Sequence, residues 1–220
     1  LNSIIGRLSY NYSQKYFAEF SFRQDASSNF AAGNRTGFFP SVGLAWAISE
    51  ESFLKPVLDK IGVFKLRGSY GVLGNQNVIP YQYQTSFVNT PNAYAFNNIP
   101  VAGAYFGSNR IGNPDLSWEK SSTLNVAIDA LLLKRRLDVT VEYFDKNTRD
   151  ILVQRRDVPA LFGASFGDFN TAEVRNRGWE VRAAYNLPGR IFTHSFAVNL
   201  ADNLNELRSF TFGADELVER

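Results

Sequence analysis

The feature that most constrains this chain is a two-residue alternation of apolar and polar side chains, which recurs in eight separate segments. Successive side chains of a β-strand point to opposite faces, so each run predicts a strand with one dry face and one wet face. Within these runs every Asp, Glu, Lys and Arg falls on the polar face. The runs lie near residues 4–12, 16–23, 39–48, 63–72, 121–131, 137–143, 179–185 and 195–201.

The connections between these strands alternate between short and long. The short ones span residues 13–15, 132–136 and 186–191, and the long ones span 24–37, 74–117 and 145–175. Outer-membrane barrels have short turns on the periplasmic side and long loops outside, so this rhythm favours a membrane barrel. A soluble sandwich also alternates, and at this point both architectures stay open.

One connection breaks the rhythm, because residues 49–62 stand where a short turn is due. The sequence predicts a short helical turn here, with Ser49 and Ser52 as N-caps and Pro56 limiting its length. The expected apolar stripe of that helix is Phe53, Leu54, Val57, Leu58 and Ile61.

Composition excludes several functions. A net charge of +2, with both signs mixed along the chain, offers no basic stripe for nucleic acid. The absence of cysteine and the single histidine, His194, argue against a metal cluster, a cofactor site or a catalytic triad, so we predict that the protein is not an enzyme. No Met stands at residue 1 and no signal segment follows, so we expect an excerpt of a longer protein.

Aromatic residues gather near the ends of the predicted strands, as in the interfacial girdles of membrane barrels. We assign Trp118 to the same class, as a girdle residue next to a solvated Glu119. Pro40 is expected to end a loop and begin a strand, and residues 113–115 to form a turn. The strand-end aromatics are Tyr10, Tyr12, Tyr16, Trp46, Tyr70, Tyr143, Trp179 and Tyr185.

Several strings in the sequence resemble the SusC/RagA family of TonB-dependent outer-membrane transporters. They are EFSFRQDASSNF at 19–30, FFPSVGLAWAI at 38–48, SEESFL at 49–54, KLRGSYGVLGNQNVIPY at 65–81, GNPDLSWEKSSTLNVAIDALLLKRRLDVTVEYFDKNTRDIL at 112–152, and EVRNRGWEVRAAYNL at 173–187. Together these strings cover about residues 16–205 in the family's order and spacing.

The resemblance implies an all-β fold, in which this chain is an antiparallel transmembrane segment of about eight strands from a 22-stranded barrel. It implies a partial barrel over residues 1–220, without the plug, the TonB box or the C-terminal strands. The whole protein would lie in the outer membrane of a Gram-negative bacterium, in contact with lipid. It would import oligosaccharides or peptides with the TonB complex and a SusD-like lipoprotein, and it would need no cofactor.

Two groups of residues are candidates for contacts. The charged residues of the polar face are expected to face the lumen and meet the plug: Glu19, Arg23, Lys65, Arg67, Asp129, Glu142, Glu180 and Arg182. The aromatic residues of the longest loop suit contact with a sugar, and they could equally pack as an external lid or contact a partner lipoprotein: Tyr81, Tyr83, Phe87, Tyr94, Phe96, Tyr105 and Phe106.

Two other hypotheses remain. Eight strands suffice for a small self-standing outer-membrane barrel with an adhesive or structural role. A soluble sugar-binding β-sandwich would place the dry faces in one core.

Overall fold

The computed structural model describes residues 1–97, 99–106, 110–155, 159, 161 and 164–210, leaving aside the side chains of 57, 59, 60, 87–94, 96, 100 and 104–106. The long strands are β1 (Asn2–Tyr12), β2 (Tyr16–Ala26), β3 (Thr36–Trp46), β4 (Gly62–Asn75), β5 (Phe87–Phe96), β6 (Ile99–Phe106), β8 (Glu119–Leu132), β9 (Leu137–Gln154), β11 (Asp168–Pro188) and β12 (Thr193–Phe210). Two short strands, β7 (Arg110–Ile111) and β10 (Ser165–Phe166), a 3₁₀ turn (Ile48–Glu50) and one helix, α1 (Lys55–Ile61), complete the fold.

Eight strands form one antiparallel sheet in the order β1-β2-β3-β4-β8-β9-β11-β12. The predicted all-β fold with eight wall strands is confirmed. In the part of the chain that the structure describes, β1 and β12 do not pair with each other, so the sheet is open and is not a closed eight-stranded barrel. Nor, among the described residues, does a second large sheet cover its apolar face, as a sandwich would require.

The hairpins of this sheet are staggered in the manner of a tilted barrel wall. One register row joins Tyr12, Tyr16, Trp46, Leu66, Ile128, Val141, Val181 and Leu200. The β1–β2 turn begins at this row, whereas the β11–β12 turn begins seven residues beyond it, at Pro188, after six inter-strand steps. At about 3.3 Å per residue and about 4.8 Å per strand, this stagger gives a tilt of about 40°. Membrane barrels have tilts of about 35–45°.

The sheet has an exposed apolar belt, whose edge lies at a similar distance from the short turn on each strand and does not run along a single register row. Counted from the adjacent short turn, the first polar residue on the apolar face lies eight to eleven residues along the strand. It is Gln24 on β2, Ser122 on β8, Asp145 on β9 and Arg177 on β11. On β12, His194 lies next to the turn, and the apolar run that follows it ends at Asp202. With the tilt, this length is a height of roughly 20–28 Å, which brackets the apolar band of about 25 Å in outer-membrane barrels. Many large side chains of the belt are exposed, among them Leu44 at 60%, Val198 at 59% and Tyr143 at 46%.

At the end of the sheet that carries the long loops, the strands extend beyond the apolar belt. Strand β9 continues to Gln154 and β11 begins at Asp168, so the predicted loop of 145–175 was too long and the connection is 155–167. The alternation fails there because both faces are polar once the strands leave the apolar belt. Pro40 was also misplaced, since it lies inside β3. It interrupts no bond to β4, which pairs with β3 only from Ser41 onward.

The predicted helical segment exists, but its capping was wrong. Helix α1 has Leu54 as its N-cap with no side-chain bond, and Ser49 instead accepts a hydrogen bond from the Phe64 amide at 2.6 Å. The expected stripe is not a buried face either, because Phe53 is 70% exposed and Ile61 is 50% exposed. Among the described residues, no helix has the length and apolar character needed to span a membrane.

Candidate lumen wall and loop-end mouth

The eight charged residues that sequence analysis grouped together lie on one face of the sheet, opposite the apolar belt. The register places Arg67 next to Ala127, Ala127 next to Glu142, and Glu142 next to Glu180. In the neighbouring register row, Lys65 on β4 lies opposite Asp129 on β8. The same row continues through Thr140 on β9 to Arg182 on β11. Because two ion pairs of this polar face join residues that are 62 and 75 positions apart in sequence, only the folded sheet assembles it. We call it the polar face below.

Arg67 is the centre of the best-connected cluster on the polar face. Its guanidinium donates to Asp129 at 3.2 Å and to Glu142 at 2.7 Å. Asp129 also accepts a bond from the Thr140 hydroxyl at 3.1 Å. The three charged side chains are between 24% and 38% exposed, so solvent weakens each pair to at most about 1 kcal/mol. These pairs therefore fix the positions of charges on the wall but contribute little to the stability of the sheet.

The remaining charged residues of the set have smaller networks. Glu19 pairs with Arg7 of the neighbouring strand, and Arg23 pairs with Asp25. The Lys65 ammonium lies 5.4 Å from the centroid of the Phe17 ring. Glu180 and Arg182 are exposed. The structure thus brings Arg67, Asp129 and Glu142 together and leaves the other five as separate points along the polar face.

A shallow depression of about 430 Å³ lies on this face between Glu19 and Arg67. Its floor is at Gly43, where an added Cβ would meet no atom within 4 Å. Small side chains around it, Ser9 on β1, Ala45 on β3 and Ser69 on β4, keep the floor low. The depression therefore offers room for a side chain or a ligand group between two groups of opposite charge.

A compact apolar cluster closes the sheet at the long-loop end, and we call it the mouth cluster. It consists of Phe30, Phe39, Leu116 and Trp118, each at most 6% exposed. Phe39 lies in register with Arg23 and therefore on the polar face. The interpretation of Trp118 as a girdle residue was wrong. Its ring packs 5.2 Å from that of Phe30, and its Nε1 donates to the Arg35 carbonyl at 3.1 Å.

Two asparagines connect the segment before β8 to the start of β11. Asn170 accepts a bond from the Ser117 amide at 2.9 Å and donates to the carbonyls of Ser117 and Asp150 at 3.0 and 2.7 Å. Asn113 forms the predicted turn by accepting from the Asp115 amide, and it also donates to the Asp168 carbonyl at 2.8 Å. Sequence analysis missed Asn170, because no local pattern indicates a partner 53 residues away.

The aromatic residues of the longest loop are described only in part. Tyr81 is 55% exposed and its ring centroid lies 6.4 Å from that of Tyr83. Tyr81 is therefore accessible for contact, and Tyr83 is half-buried beside it. The side chains of Phe87, Tyr94, Phe96, Tyr105 and Phe106 lie outside the described residues, although the backbones of these residues form the β5–β6 hairpin.

A second buried group, at the short-turn end, was also missed. The Glu51 carboxylate is 8% exposed and accepts bonds from the Tyr16 hydroxyl and from Trp46 Nε1, the latter at 3.1 Å. Lys15 lies 3.4 Å away. The Tyr16 hydrogen bond, followed by that of Trp46, lowers the pKa of Glu51 below its usual range. The available signal was the acidic pair in SEESFL, immediately after a strand that ends in Trp46.

The comparisons with known proteins agree with this geometry. A family model described as TonB dependent receptor-like, beta-barrel, matches residues 2–216. TonB-dependent receptor P3 of Formosa agariphila is 34% identical over 221 residues, which cover 100% of this chain and 21% of that protein. TonB-dependent receptor SusC of Bacteroides thetaiotaomicron is 33% identical over 222 residues, covering 98% of this chain and 21% of SusC.

A solved structure of the RagAB peptide importer in a closed-closed state superposes with a TM-score of 0.81 at 26% identity. The match covers 96% of this chain and 22% of that chain, so the present chain spans about a fifth of the length of these relatives. They are receptors and importers rather than enzymes, which confirms that prediction. The chain belongs to the TonB-dependent receptor β-barrel family and forms part of the barrel wall of an outer-membrane protein of a Gram-negative bacterium.

Proposed function

We propose that the whole protein imports oligosaccharides or peptides across the outer membrane, and that this chain supplies eight strands of its 22-stranded wall. One observation carries the proposal: a single open sheet has an exposed apolar belt on one face and ion-paired charges on the other. An open sheet of eight strands with a tilt of about 40° fits the wall of a wider barrel, and wide barrels enclose polar lumens.

The proposal gives each face a role. The polar face lines the lumen and contacts a plug, so the cluster of Arg67, Asp129 and Glu142 forms part of the wall that the plug meets. The short turns face the periplasm, where the TonB complex supplies energy, and the long loops face outward. The name of one similar structure supports the peptide part of this cargo class, because it describes the RagAB complex as a peptide importer.

The outer mouth is the proposed place for cargo and for a SusD-like lipoprotein. Tyr81 and Tyr83 present aromatic faces next to polar groups such as Gln84, which donates to the Tyr83 hydroxyl at 3.2 Å. Aromatic rings stack on sugars and pack against peptide side chains, so the pair suits either cargo. The mouth cluster beneath them gives these loops a fixed base.

Growth of a deletion strain tests this function. The gene of the whole protein would be deleted, and growth compared on a panel of oligosaccharides, on peptides and on the corresponding monomers. We expect loss of growth on one class of oligomer alone, because monomers pass through porins. Equal growth of both strains on every oligomer of the panel would contradict the proposal.

A matched pair of variants locates the cargo contact. Tyr81→Ala in the complemented strain should slow growth on that oligomer, whereas Tyr10→Ala should not, since Tyr10 is 63% exposed on the apolar belt. Co-purification of a SusD-like lipoprotein with the tagged whole protein tests the partner separately. Recovery of the barrel without any such lipoprotein would contradict the partner assignment and leave the import assay unaffected.

A further inference from the structure

A slot of about 280 Å³ interrupts the apolar belt near the short-turn end of the sheet. Its floor is Ala18, which the register places between Tyr10 on one side and Leu44 on the other. Larger side chains form the walls, so one small residue among bulky neighbours creates the slot. These wall residues are Tyr10, Tyr16, Leu44, Trp46 and Leu66.

The slot is a built feature because a buried charge fixes two of its walls. Glu51 is 8% exposed, and one of its carboxylate oxygens accepts bonds from both the Tyr16 hydroxyl and Trp46 Nε1. Both rings therefore direct their polar edges toward Glu51, which leaves their apolar surfaces to line the slot. Ring orientations that are set by hydrogen bonds to a buried carboxylate are preorganised for a ligand.

The position of the slot determines what can fill it. The slot lies within the apolar belt, and the belt of an outer-membrane barrel contacts lipid. Lipid tails are as apolar as Leu, so the gain on filling the slot comes from van der Waals contact. An apolar cavity of about 150 Å³ already holds one benzene molecule, so a slot of this size has room for a run of methylene groups.

The charge at the lower end of the slot suits a phosphate. Lys15 is the last residue of the short turn before Tyr16, and its ammonium lies 3.4 Å from Glu51. An ammonium has three donors, so Lys15 keeps donors for a second acceptor. Tyr and Trp rings in membrane proteins mark the depth of the headgroups, which places Lys15 at that level.

We propose that this slot binds one acyl chain of a phospholipid of the periplasmic leaflet, with the lipid phosphate at Lys15. The proposal rests on the outer-membrane location of the barrel and is independent of its cargo. A lipid held here would attach the wall to the inner leaflet beside the segment of residues 47–61.

Native mass spectrometry of the whole protein tests the proposal, with palmitoyl-oleoyl phosphatidylethanolamine titrated into the delipidated barrel in detergent. Ala18→Phe fills the slot and should weaken the tightest lipid adduct by about tenfold or more. The matched control is Ala183→Phe, an alanine on the apolar belt of β11 between Val139 and Val198, which is not part of the lining of this slot. This control should change the affinity less than about twofold. An equal response of the two variants would overturn the proposal.

The headgroup contact has its own test. The wild-type protein should bind phosphatidylethanolamine more tightly than dioleoylglycerol, which lacks the phosphate, and Lys15→Gln should abolish that difference. If Lys15→Gln still binds phosphatidylethanolamine more tightly than dioleoylglycerol, the proposed contact between the phosphate and Lys15 is wrong. The same spectra test whether a second copy of the protein, rather than a lipid, fills the slot. In that case Ala18→Phe would lower the fraction of dimer without changing lipid binding.

Discussion

The mouth cluster offers the sharpest test of the packing at the long-loop end. Leu116 is fully buried among Phe30, Phe39 and Trp118, so Leu116→Ala removes three methyl(ene) carbons from a closed apolar site. Such substitutions cost about 2–5 kcal/mol, and the site has few neighbours that could move in to fill the space. Taking about 3 kcal/mol, the local opening equilibrium should rise about 100-fold, because each 1.4 kcal/mol is a factor of ten.

Hydrogen exchange measures that opening directly. The Ser117 amide is bonded to the Asn170 side chain at 2.9 Å and is protected only while the cluster is closed. In Leu116→Ala its exchange should accelerate about 100-fold, and the amides of residues 27–35 should follow, since Phe30 packs in the same cluster. Leu124→Ala is the control, because Leu124 lies on the apolar belt of β8 and is 43% exposed. It should leave the exchange rates of both segments unchanged. Acceleration below about threefold in Leu116→Ala would refute the packing described here.

Three further changes test other parts of the wall. Gly74→Ala should open the mouth, because an added Cβ would overlap the Phe39 ring; overpacking costs about 1–3 kcal/mol, and Phe39→Leu in the same chain should restore thermal stability. A double-mutant cycle of Arg67→Met and Glu142→Gln should give a coupling below about 1 kcal/mol by denaturant titration, and a value above about 3 kcal/mol would show a desolvated pair. The pKa of Glu51 is lowered in the folded state, so its contribution is present above its unfolded pKa and is lost as the pH falls through the folded value. Glu51→Gln should therefore destabilise the barrel at neutral pH and less so in acid, as followed by thermal unfolding, and an equal loss at both pH values would contradict this reasoning.

The strands could be predicted from the sequence because the membrane imposes a one-dimensional pattern. Val139, Val141 and Tyr143 alternate with Thr140 and Glu142, since the two faces meet different solvents. The same reasoning failed a few residues later on β9. From Asp145 to Asp150 both faces are polar, and the strand continues there on backbone pairing to β11, which leaves no alternating hydrophobic signal.

The mouth and the slot could not be predicted, because both depend on contacts between distant segments. Tryptophan is a residue type typical of membrane girdles. Only the contacts of Trp118 with Phe30 and with the Arg35 carbonyl make it a core residue. Glu51 reads as a solvated charge after a strand, and only the fold brings Tyr16 to it. Assigning such residues requires the three-dimensional arrangement of the loops.

The central claim is that one face of this sheet contacts lipid and the other lines a polar lumen. The chain contains no cysteine, so single cysteines can be introduced at residues 139 to 145 of the whole protein, in a background without other cysteines, and spin-labelled in bilayers. We predict that labels at Val139, Val141 and Tyr143 collide with oxygen, which partitions into lipid. Labels at Thr140 and Glu142 should not, and the label at Asp145 should collide with a water-soluble nickel reagent instead. Uniform oxygen accessibility across these positions, without the two-residue period, would contradict the account.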